Sequence, residues 1–74
     1  MDVFRNKEAF MATRLLHLRE VLSRTSLSRT TIYRLMARGR FPTSISLGGR
    51  VAWISAEVEE WLLDRIAAHR GAAV

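Results

Sequence analysis

Seventy-four residues without a cysteine leave room for one small domain, whose core must come from apolar side chains without a disulfide. Only His17 and His69 supply imidazoles, far apart in sequence, so neither a metal site nor a cofactor is expected, and no apolar run reaches the length of about 18 residues that a membrane span needs. The formal charge of +5 is unevenly placed: residues 14–50 carry eight arginines against Glu20 alone, a local +7, whereas residues 51–74 carry Arg65 and Arg70 against four carboxylates, a local −2. A basic centre beside an acidic tail prepares one face for a polyanion. Without an apolar leader, the expected setting is the reducing cytoplasm.

Residues 1–13 are weakly patterned and read as a frayed or partly helical arm. Residues 14–18 read as a short strand or as the entry to a helix. Leu18, Val21 and Leu22 then recur at helical spacing up to Arg24. Thr25, Ser26 and Leu27 form a tight turn. Ser28 is an N-cap whose hydroxyl can accept from the backbone N–H of Thr30 or Thr31. Ile32, Leu35 and Met36 make one apolar stripe, Gly39 suits a left-handed position after the helix, and Pro42 forbids continuation. These signals bound a helix over residues 29–38. With its predecessor it forms a helix-turn-helix unit.

Ile45 and Leu47 alternate with serines, Gly48-Gly49 offers the positive φ angles of a two-residue hairpin, and Val51, Ala52, Trp53 and Ile54 return as a strand. Ser55 is expected to cap a last helix, with Glu57, Glu59 and Glu60 at its positive end. Val58, Trp61, Leu62 and Ile66 form its apolar stripe, and Gly71 is expected to end it. The predicted architecture is α+β: a small winged helix-turn-helix of three helices with a short β-hairpin wing. The arm is 1–13, the domain 14–70 and the tail 71–74. Trp53, Trp61 and Phe41 are read as core residues.

No Ser/His/Asp or Cys/His set is present, and Gly48-Gly49 lacks the Lys-Ser/Thr of a phosphate loop, so no enzyme and no small-molecule substrate are expected. The second helix is more informative. Its apolar stripe leaves Thr30, Tyr33, Arg34, Ala37 and Arg38 on the opposite side or its edge, with Arg29 on a flank. Arginine can grip guanine with two bonds or pair with a phosphate, and hydroxyls bond phosphate oxygens. That face carries no acidic residue, unlike an ordinary solvated helix. Arg50 follows the glycine turn, where a basic tip can reach the DNA backbone. Arg38 either contacts the backbone or is a solvated charge.

The run LSRTTIYRLMARGRFP, from Leu27 to Pro42, resembles the AlpA family of phage-type regulators and is similar to the excisionase and MerR-like winged-helix domains. HLREVLSRTS before it, and SLGGRVAW and SAEVEEWL after it, extend the resemblance over about residues 14–66. It implies a recognition helix opening at Ser28. Ser28, Arg29, Thr30, Thr31, Tyr33 and Arg34 would face double-stranded DNA, and Arg50 would lie on the wing. Two departures stand out. Ser26 occupies a turn position where glycine is common, and the wing is one residue shorter. The implied roles are transcriptional regulation of a prophage or integrated element, or an excisionase-like role assisting an integrase. Either would use several copies on adjacent sites in the nucleoid. The reading from another class is a protein-interaction adaptor or antitoxin-like subunit, which an exposed Trp61 would favour.

Overall fold

The computed structural model describes residues 14–73; the arm expected over residues 1–13 lies outside them. In chain order the elements are β1 (Leu15–His17), α1 (Leu18–Thr25), α2 (Arg29–Ala37), β2 (Ile45–Leu47), β3 (Arg50–Ile54) and α3 (Ser55–Ala73). The architecture is α+β: three helices with a small antiparallel sheet of order β1-β3-β2.

The stretch that reads equally as strand or helix entry is both. Leu15–His17 pair with β3, Leu16 opposite Trp53, and the helix begins at Leu18. Beyond the strand ends, Ser55 N–H donates to the Arg14 carbonyl at 2.7 Å, and the Arg14 N–H donates to Ser55 Oγ at 3.0 Å. Ser55 is thus the first residue of α3, and its hydroxyl receives the incoming chain instead of capping the helix as expected. The expected hairpin is present and gains β1 as a third strand. Its two turn glycines sit at φ +56° and +83°, the pair of positive angles that keeps a two-residue turn in step with strand twist.

Ends of the short helices are closed locally. The backbone N–H of His17 donates to Glu20 Oε1 at 2.8 Å, the return half of a capping box. Ser28 Oγ accepts from the Thr31 N–H at 3.1 Å. At the other end of α2, Gly39 N–H donates to the Met36 carbonyl and Arg40 N–H to the Leu35 carbonyl, with Gly39 at φ +68°. That is the paired closure by which glycine terminates a helix.

The core unites Leu16, Val21, Ile32, Phe41, Trp53 and Val58, with Leu18, Leu22, Leu27, Leu35, Met36, Trp61 and Leu62 packed against it. Both indoles find acceptors: Trp53 Nε1 donates to the Pro42 carbonyl at 3.2 Å, and Trp61 Nε1 to the Arg40 carbonyl at 2.7 Å. Each ring contributes apolar area without stranding its N–H. Phe41 plugs the gap after α2 and meets Trp61 edge-on, with centroids 4.8 Å apart. Helix α3 departs from expectation in two respects. It runs through Gly71 to Ala73, and Ile66, placed on the apolar stripe, is exposed. From Leu63 to Gly71 every residue is exposed, so a helical glycine meets no packing demand there.

Candidate nucleic-acid interface

Helix α2 is anchored by a single fully buried side chain, Ile32, with Leu35 and Met36 half-buried beside it. This orientation turns Arg29, Thr30, Tyr33, Arg34, Ala37 and Arg38 outward, all exposed. The first turn of α2 contains no acidic residue. The helix therefore presents a purely basic and hydroxylic surface, and the partial positive charge of its N-terminus has the same sign.

Tyr33 is less free than its position off the stripe implies. Its ring meets Trp53 edge-on at 6.3 Å, and the Arg29 guanidinium lies 5.9 Å from its centroid. The ring thus links the core to an arginine of the outer face, while the residue itself stays exposed. Ser28 and Thr31 are coupled to each other. Ser28 Oγ caps Thr31 and donates to Thr31 Oγ1 at 2.9 Å, which leaves the Thr31 hydroxyl proton for an outside acceptor. Arg50 stands apart from this group, exposed at the start of β3 across from Leu47. Arg38 is the C-cap of α2, at the opposite end of the helix from Ser28.

One contact braces the first helix against the last. Arg24 donates from Nε and Nη2 to the two carboxylate oxygens of Glu59, the second bond measuring 2.7 Å. The hydrogen bonds and the charge of Arg24 hold the Glu59 carboxyl below its ordinary range. Sequence reasoning assigned Glu59 only to the helix dipole, because its partner lies 35 residues away. Also unanticipated is a second basic surface. Arg14, Arg19 and Arg24 gather around a groove between β1 and α1, with Glu20 the lone acid there. Arg14 precedes β1 while Arg19 and Arg24 lie on α1, and no local pattern joins them.

Residues 14–66 match the family model described as "Prophage CP4-57 regulatory protein (AlpA)". The chain belongs to the AlpA family. The matched span holds every residue of the core cluster and stops about one helical turn beyond Leu62, the last residue packed against it. The AlpA-family chain is also similar to "Uncharacterized protein ORF88" of Enterobacteria phage P4, with 47% identity over 58 residues, covering 77% of this chain and 66% of that protein. The chain therefore spans just under two-thirds of that relative's length. No solved structure matches it. Among the described residues no helix is long and apolar enough to cross a membrane, and no group of three or more His, Asp or Glu is placed to hold a metal ion.

Proposed function

We propose that this chain binds specific double-stranded DNA by inserting α2 into the major groove, and that it regulates genes of a prophage or integrated element. The observation that carries the reading is the acid-free outer face of α2 on a helix anchored from behind by Ile32. Arg34, and Arg29 steadied by Tyr33, are the base-reading side chains. Thr30, Thr31, Ser28 and the Tyr33 phenol bond phosphates near the helix start, and Arg38 and Arg50 pair with the backbone on either side. Membership of a family described as regulatory supports the same role. The chain acts by binding, with no catalytic step and no cofactor, in the cytoplasm at the nucleoid. An accessory role beside an integrase uses the same contacts, with copies on adjacent sites.

The test is fluorescence anisotropy of labelled duplexes from the neighbourhood of the gene, titrated with wild type and Arg34→Ala at several salt concentrations. Wild type is expected to select one fragment, and to lose affinity with salt in proportion to the phosphates neutralised. Arg34→Ala is expected to lose about 1–3 kcal/mol of discrimination on that fragment, with its fold intact by circular dichroism. Equal specific affinity in the two proteins would sink the assignment of this face. With a fragment in hand, an excision assay with the local integrase separates regulator from accessory factor.

A further inference from the structure

The acidic residues of α3 do not all serve the brace to α1. At about 100° of rotation per residue, Glu59 lies about 150° around the helix from the edge that carries Glu57 and Asp64, with Glu60 between them and Trp61 just beyond. Glu59 is spent on Arg24. The other three carboxylates form one wall of an open groove whose apolar side is Phe41, Pro42 and Trp61. Among the described residues none of the three makes an ion pair, and Arg40 is the one cation in the lining. Separate from it is the groove of Arg14 and Arg19, where Arg24 already has its partner.

The two grooves are opposite in sign and share no lining residue. The acidic groove repels DNA, and it also repels a symmetric copy of itself, which would set like charges against each other. It is complementary to the basic flank of the same chain. A contact between two different patches is heterologous, so it repeats from copy to copy and builds an open row unless the rotation closes it into a ring.

We infer that the Phe41–Trp61 groove, walled by Glu57, Glu60 and Asp64, docks the Arg14 and Arg19 flank of a second copy, so that the domains associate head to tail. The use of such a row on neighbouring DNA sites rests on the DNA-binding reading; the contact itself does not.

Sedimentation of the full chain without DNA tests the contact, at concentrations up to about 1 mM and at low and high salt. Wild type is expected to form species that grow with concentration and dissolve in salt. Glu60→Arg and Arg19→Glu, each alone, are expected to raise the dissociation constant about tenfold or more. Mixed in equal amounts, the two variants retain one sound groove and one sound flank between them. The mixture is expected to associate more tightly than either variant alone, through the sound groove on the sound flank and through Arg at position 60 against Glu at position 19. A wild type that stays monomeric overturns the proposal, as does association that Glu60→Arg leaves unchanged, since the groove then serves another occupant. A mixture that associates no more tightly than either variant alone overturns it too, because the charges then act without meeting. Arg34→Ala on single-site DNA bears on the DNA reading alone, so the two failures are distinguishable.

Discussion

Ser26 holds φ +61°, the one left-handed non-glycine residue among those described, and closes α1 by donating its N–H to the Leu22 carbonyl at 2.8 Å. A side chain in that region crowds the following carbonyl, which is why glycine is common at this turn position. Thr25 supports the turn by donating Oγ1–H to the Val21 carbonyl and accepting from the Leu27 N–H. Ser26 Oγ takes part in none of these bonds. Ser26→Gly is therefore expected to stabilise the domain by about 0.5–1 kcal/mol, the relieved strain less the extra chain entropy of glycine. Thermal melts should show a rise of roughly 2–8 °C. An unchanged or lower midpoint would mean that the serine sits in the turn without strain. At this scale the sequence is most readable where one residue type has one backbone use. Gly39, Gly48 and Gly49 take the positive φ angles their positions imply. Gly71 is misread because an exposed helix tolerates glycine at a cost of about 1 kcal/mol, too little to end it.

Between elements, the readable features are those whose causes are close in sequence. Helix α2 carries its own start at Ser28, its stripe and its stop at Gly39, so its span and outer face follow from a dozen neighbouring residues. Strand β1 carries no such signal. Its three residues become a strand because β3 is beside them, a pairing across 35 to 39 positions. The Arg24–Glu59 brace is invisible for the same reason, and it makes stability depend on pH. The Glu59 carboxyl is held below its ordinary range chiefly by the hydrogen bonds from Arg24. Its contribution is therefore present above the ordinary carboxylate range and is lost as pH falls through the lowered value. Wild type is expected to melt above Glu59→Gln at about pH 7, with the gap narrowing as pH falls below the ordinary carboxylate range. Melting curves of both proteins as pH falls check it. A gap that does not change with pH would show that the charge of Glu59 plays no part in the brace.

Across the whole molecule, the packed body and the length of the chain do not coincide. Every member of the core cluster precedes Leu63, and so do the packed partners Trp61 and Leu62. Beyond them, Leu63 and Ile66 are large apolar residues left 64% and 47% exposed, which marks the point where the helix has outrun the surface it packs on. A periodic stripe predicts which face of a helix is apolar, but the position of the neighbouring elements decides how far along the helix that face is used. The Ile66 expectation failed on this account. The consequence is a test of where the folding unit ends. A chain stopped after Ile66 removes only residues outside the core cluster and outside the family match. It is expected to keep a cooperative melt, with a midpoint within about 4 °C of the full chain, as for surface changes of about 0.5 kcal/mol. Specific DNA affinity should also survive, since α2 and the hairpin are untouched. Loss of the cooperative transition would place part of the folding unit beyond Ile66.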